Sequence, residues 1–123
     1  MNIDDIVQEY IAFAEKQRGA EVYYRESWEC FYFSLLGKNF GLLTPDIITL
    51  KGLPQDNIKL REAHTDVVAG YHMNKQHWNS IKADTEQLSM DEIKEMIRIS
   101  YELVYDKLPK KDKEIIDEMP LRD

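Results

Sequence analysis

Residues 70–81, "GYHMNKQHWNSI", bring together side chains that could bind a metal ion or a nucleic acid. His72 and His77 are the obvious metal ligands. Their spacing of five residues does not place them on the same face of a helix, and it points them to opposite faces of a strand. A loop separates the third histidine, His64, from both of them. The sequence therefore predicts no metal site and no bound cofactor.

Nucleophilic catalysis has little support in this sequence. The single cysteine, Cys30, begins the apolar run "CFYF", where we expect a buried, inert thiol with a raised pKa. The sequence contains no Gly-x-Ser-x-Gly turn, no phosphate-binding glycine loop and no HExxH helix. We therefore predict a protein without enzymatic activity.

The cysteine count and the N-terminus also indicate a compartment. One cysteine excludes an intrachain disulfide, and the acidic start "MNIDDIVQEY" lacks the basic residues of a signal peptide. No apolar run approaches the roughly 18 residues that a membrane span needs. We predict a cytoplasmic protein with no membrane partner.

The net charge of −7 opposes binding to nucleic acid, because phosphate contacts depend on lysine and arginine. The charge is uneven, however, at −4 for residues 1–30, +2 for residues 31–82 and −5 for residues 83–123. DNA or RNA would favour the middle segment. Its candidate contact residues are basic or polar: Lys38, Lys75, His77, Lys51, Lys59, Arg61 and Asn79.

The three histidines lie in the same middle segment, and protonating them would raise its charge from +2 to +5. The ordinary pKa of histidine is about 6.5. Affinity for a nucleic acid is therefore expected to rise between pH 8 and pH 6, and to fall with salt.

Helices are predicted at both ends of the chain. An amphipathic pattern follows Asn2, a candidate N-cap, and Gly19 is its predicted stop. Ser89 and Glu92 have the spacing of a capping box before a second apolar stripe, which Pro109 ends. A short helix is predicted over residues 110–118, and Asp56 is a candidate N-cap for another over residues 57–64.

Between the terminal helices the apolar period changes to two, which indicates strands. The pattern predicts an antiparallel meander with a hairpin at residues 37–39, a turn at residues 44–46 and a strand at residues 47–51. Further strands are predicted near residues 22–25 and over residues 78–83. In the last of these, we expect Trp78 to pack on the helix that carries Ile97 and Tyr101, with Asn79 facing the other way.

These elements predict an α+β fold with one domain over residues 1–123. Its antiparallel sheet is covered on one face by the N- and C-terminal helices. The other face can remain uncovered. A functional surface is expected on that face, at its edges or at its hairpin tips.

Four blocks, "FSLLGKNFGLLT", "ITLKGLPQDNIKLRE", "GYHMNKQHWNSI" and "SYELVYDKLPKK", resemble successive blocks of the MmcQ/YjbR family of small bacterial proteins. The similarity covers roughly residues 31–111. The resemblance implies a frataxin-like, CyaY-like α+β domain with a double-wing arrangement. It also implies DNA binding, the function with which family members are commonly labelled, and no catalytic residues.

Two functions remain open at this point. The chain is either a weak nucleic-acid-binding module that uses the basic middle segment, or a module that binds another protein or a small ligand. A contiguous basic patch in the structure would favour the first function, and an exposed apolar sheet face would favour the second.

Overall fold

A computed structural model describes residues 1–70 and 73–122. These residues form six strands, four α-helices and one 3-10 turn. No helix among them is long and apolar enough to cross a bilayer. In chain order the elements are α1 (Ile3–Lys16), β1 (Ala20–Arg25), the 3-10 turn (Glu26–Trp28), β2 (Cys30–Leu35), β3 (Lys38–Leu43), β4 (Ile47–Lys51), α2 (Pro54–Ala63), β5 (Val67–Ala69), β6 (Trp78–Lys82), α3 (Met90–Asp106) and α4 (Lys110–Glu118).

The strands form one antiparallel sheet in the order β1-β2-β3-β4-β6-β5. The predicted meander is formed by β2, β3 and β4, and the two further predicted strands extend it, β1 on one side and β6 on the other. The strand β5 was not predicted, since three residues are too short to show an alternating pattern.

The helices α1 and α3 pack on the same sheet, α1 against β1 and α3 mainly against β3 and β4. Their apolar stripes meet the core faces of the strands in one cluster, which also contains Ile116 of α4. The predicted α+β class, with terminal helices covering one face of an antiparallel sheet, is confirmed.

Two helices begin at side-chain caps. The Asn2 side chain accepts a hydrogen bond from the Asp5 amide at 2.9 Å, and Ser89 and Glu92 form the predicted capping box. The predicted start of α2 was wrong, because the helix begins at Pro54 and Asp56 lies inside its first turn. Proline is well suited to the first helical position, where its missing N–H has no partner to lose.

A two-residue turn joins β2 to β3, and its residues, Leu36 and Gly37, both have positive φ. This is the conformation of a type I′ hairpin, whose twist matches that of the strands. The turn was predicted at residues 37–39, one residue too far along the chain. Lys38 is therefore the first residue of β3 and not the hairpin tip.

The orientation predicted for β6 was also wrong. Asn79 and Ile81 are buried and share the helix-covered face, whereas Trp78 is half-buried, lies on the opposite face and does not contact the core cluster. The polar Asn79 is tolerated in this position because α2 supplies its hydrogen-bond partners, as described below. A one-residue difference in strand phase reverses every side chain.

Candidate anion-binding site

Basic residues of three neighbouring strands meet at one end of the sheet. Lys38 begins β3, Lys51 ends β4, and His77 directly precedes β6. The backbone confirms this proximity, since the Gly52 amide donates to the His77 carbonyl at 2.9 Å. The C-terminus of α3 reaches the same end and adds Lys107.

A β-bulge opens this end of the sheet. Phe33 pairs with Gly41, but Ser34 pairs with Asn39, so Phe40 is an extra residue in β3. The Phe40 ring turns into the core and packs edge-on against Tyr101, with 5.5 Å between ring centroids. Its carbonyl therefore leaves the ladder between β3 and β4.

Ser100 of α3 fills the resulting break in the ladder. Its hydroxyl donates to the Phe40 carbonyl and accepts from the Lys51 amide, the latter at 2.9 Å. The Ser100 side chain is fully buried, so it satisfies the Phe40 carbonyl away from water and also the partly buried Lys51 amide. This one side chain ties the last residue of β4 to α3 and sets the position of Lys51.

Between these elements lies a pocket of about 340 Å³, which we call the basic pocket. Its charged lining consists of three lysines, and no carboxylate is among the described residues that line it. Its walls are Lys38, Asn39, Lys51, Val104, Lys107, Leu108 and Pro109.

Lys51 and Lys107 of the basic pocket lie close enough for their charges to repel each other. Partial burial of Lys51 lowers the pKa of its ammonium group, and the neighbouring charge of Lys107 lowers that pKa further. No ion pair in the described residues involves Lys38, Lys51 or Lys107. A bound anion would relieve this repulsion, because a nearby negative charge favours the charged form of an ammonium group. A carboxylate side chain in the pocket would have the same effect, but the described lining contains none.

The N-terminus of α4 adds positive charge to the rim of the pocket. Pro109 is both its N-cap and part of the pocket wall, and helix N-termini carry partial positive charge. Two further lysines, Lys110 and Lys111, occupy the first positions of this helix, and one acid, Asp112, follows them in its first turn. Cations there oppose the helix dipole, so their placement costs stability and concentrates basic charge beside the pocket.

The remaining predicted contacts lie around α2 and the loop before β6. Lys59 and Lys75 are exposed, and His77 is half-buried. Arg61 has a structural role, because its guanidinium donates to the Lys75 carbonyl at 3.1 Å and to the Asn79 side chain at 2.8 Å.

Asn79 is 1% exposed, so its side chain is not accessible to a ligand. Its amide group donates to the Asn57 carbonyl at 3.2 Å, and the Asn57 side chain donates to the carbonyls of Gly52 and Gln76. The network holds the loop before β6 against α2. Asn79 is therefore part of the protein interior, and the nucleic-acid contact predicted for it is not carried into the candidate site.

The buried thiol predicted at Cys30 is confirmed. Burial raises its pKa, and a backbone hydrogen bond at Leu43 offsets part of this rise. His72 lies outside the described residues. The prediction that its side chain and that of His77 do not share a face therefore remains a prediction. Within residues 1–70 and 73–122 no three histidine, cysteine or acidic side chains are grouped as metal ligands.

A stability prediction follows from the lowered pKa of Lys51. A lysine whose pKa falls on folding destabilises the folded state while it is charged, and this penalty disappears as pH rises through the folded-state pKa. Lys51→Met keeps the apolar stem and removes the charge, so it should raise the free energy of unfolding at pH 7 by about 0.5 kcal/mol.

Urea denaturation at pH 7 measures this effect, and Lys82→Met at the opposite end of the sheet is the control. Lys82 is the last residue of β6 and is exposed, so its replacement should give no comparable gain. A loss of stability in Lys51→Met would show that its charge is compensated in the folded protein.

Sequence reasoning found Lys38 and Lys51 but missed Lys107 and Ser100. Lys107 belongs to the basic run "DKLPKKDK", but the run itself does not show that this residue lies beside β3 and β4. Ser100 had no signal, since its role depends on a bulge that lies 60 residues away in the chain.

Comparison with known proteins places the fold among bacterial relatives. The model of the YjbR family matches residues 17–103. The Escherichia coli O157:H7 protein named "Uncharacterized protein YbdF" is 34% identical over 84 residues, which is 65% of this chain and 68% of that protein.

Two solved structures share the fold. The Deinococcus radiodurans protein DR2400, described as a DUF419 domain, superimposes with a TM-score of 0.80 at 24% sequence identity. The alignment covers 95% of this chain and 91% of the DR2400 chain. A Pseudomonas syringae protein has a TM-score of 0.67 at 26% identity and covers 78% of this chain and 96% of its own.

Proposed function

The chain belongs to the YjbR family, and we propose that it is a non-catalytic module that binds nucleic acid weakly through phosphate contacts at the basic pocket. The observation that carries this proposal is the meeting of Lys38, Lys51 and Lys107 around one cavity with no carboxylate in its described lining. The cytoplasm, where nucleic acid is accessible, is the compartment that the proposal requires.

Electrostatics explains why binding should be local and weak. Lysine ammonium groups gain affinity for phosphate by releasing condensed counterions, and this gain depends on charges near the contact. The pocket and the first turn of α4 supply such charges, while a net charge of −7 repels the polyanion elsewhere. We expect the end of the sheet that carries the basic pocket to touch phosphates, and the opposite end to make no contact.

Fluorescence anisotropy with a short duplex and a matching single strand tests the proposal. Three phosphate contacts on duplex DNA predict that log K falls with log salt at a slope of about −2.7, since each contact contributes about −0.9. The titrations are run at low and moderate salt and at pH 8 and pH 6, the range over which the sequence predicted a rise in affinity. No binding at low salt and pH 6 would contradict the proposal.

The cavity gives a specific reason to consider a small phosphate-bearing ligand as the second candidate. A pocket of about 340 Å³ falls at the lower end of the range for small-molecule sites. Pyrophosphate separates the two functions as a competitor in the anisotropy titration. If pyrophosphate displaces DNA no more than simple salt of the same ionic strength does, the nucleic-acid function is favoured. If it displaces DNA saturably at a far lower concentration, the small-ligand function is favoured.

A further inference from the structure

The edge strand β1 has only part of the protection that normally prevents an edge from pairing, namely two charged side chains, Glu21 and Arg25. It has six residues, contains neither lysine nor proline, and pairs with β2 without a bulge. The other edge strand, β5, has three residues and is protected by its shortness. Within residues 1–70 and 73–122, no strand lies beyond β1.

The hydrogen bonds of Ala20 show which backbone groups of β1 are open. Its amide donates to the Gln17 carbonyl at 3.0 Å, and its carbonyl accepts from Arg122 at 2.6 Å, so both groups point away from β2. Backbone direction alternates along an antiparallel strand. Val22 and Tyr24 therefore also direct their amides and carbonyls outward.

We propose that β1 is a homodimer interface, in which a second copy of this chain adds its own β1 antiparallel and extends the sheet across a twofold axis at Tyr23. In this register Val22 lies opposite Tyr24 of the partner, and the two such pairs exchange four backbone hydrogen bonds. Tyr23 lies opposite its own copy, in the closer type of pair that exchanges no backbone bonds.

Charge complementarity selects this partner and this register. Glu21 lies opposite Arg25 of the partner, and symmetry repeats the pair, so the strand is complementary to itself. A register centred on Val22 would require the Ala20 carbonyl, which Arg122 already occupies, and would leave both charges unpaired.

Side chains on the uncovered face support the same arrangement. Tyr23 stacks on Tyr32 with 5.3 Å between ring centroids and 13° between planes, and it remains 39% exposed. The twofold axis would continue this stack through Tyr23 of the partner. On the other face, 49% of Tyr24 is exposed and would be covered by Val22 of the partner.

Light scattering coupled to size exclusion, over a concentration series, tests the dimer. The wild type should approach 29 kDa, twice the 14.5 kDa of one chain. The single changes Glu21→Arg and Arg25→Glu place like charges opposite each other and should remain at the monomer mass. The combined swap restores opposite charges and should recover the dimer.

Both residues are exposed, so the variants should retain the wild-type fold, which circular dichroism checks. A wild type that stays monomeric at every concentration would overturn the proposal. Equal behaviour of the single variants and the combined swap would overturn the register.

Disulfide trapping checks the register independently, in a Cys30→Ala background. Tyr23→Cys should form a cross-linked dimer with oxidised glutathione, because opposed residues of this pair type lie within disulfide reach. Tyr24→Cys is the control, since its own copy lies two positions away and should not cross-link. Equal cross-linking of both variants would show random collision.

Discussion

Ser100→Ala should lower the free energy of unfolding by about 2 to 4 kcal/mol, because it leaves a buried carbonyl and a partly buried amide without partners, at about 1 to 3 kcal/mol each. The groups are the Phe40 carbonyl and the Lys51 amide, which the hydroxyl joins across the bulge. Urea denaturation followed by circular dichroism measures the change.

A second serine of the same helix provides the control for this variant. Ser89 caps α3 at an exposed position, and its replacement by alanine should cost about 1 kcal/mol. A Ser100→Ala variant no less stable than Ser89→Ala would show that the bridge does not hold β4 to α3. The expected larger loss would also loosen Lys51, so this variant should bind nucleic acid more weakly.

The combined change Lys51→Gln and Lys107→Gln should lower affinity for duplex DNA about 10²-fold at low salt, the effect of two lost phosphate contacts. It should also make the salt slope shallower by about 1.8. Anisotropy titrations at two or more salt concentrations measure both quantities.

The matched control removes two charges from the opposite end of the molecule. Lys82 ends β6, and Lys94, in the first turns of α3, forms an exposed ion pair with Glu9 at 3.2 Å. Replacing both by glutamine also changes the formal net charge from −7 to −9. Equal loss of affinity in the two variants would mean that total charge, and not the basic pocket, determines binding.

Most of the fold was predictable because its signals are local. The caps at Asn2 and Ser89 lie within three residues of their partners, and alternation defined β2 and β4 without reference to the rest of the chain. The phase of β6 was not predictable in the same way. The prediction assigned Trp78 to the buried face because a large aromatic side chain is usually buried. Asn79 is buried in its place because it bonds to Asn57 of α2, which lies 22 residues earlier in the chain.

The basic pocket was predictable only in part for the same physical reason. Lys38 and Lys51 belong to adjacent strands, so a predicted hairpin order brings them near each other. Lys107 arrives from a helix that crosses the sheet, and its position depends on how α3 packs against β3 and β4. Packing of this kind leaves no periodic pattern in the sequence.

Chemical-shift mapping of the wild-type protein with a short duplex tests the central claim most directly, because it locates the contact without altering any residue. The amides of Asn39, Lys51 and Lys107 should show the largest changes on titration. Those of Arg25 and Lys82, at the opposite end of the sheet, should stay unchanged. Uniform small changes, or changes centred on the opposite end, would contradict binding at the basic pocket.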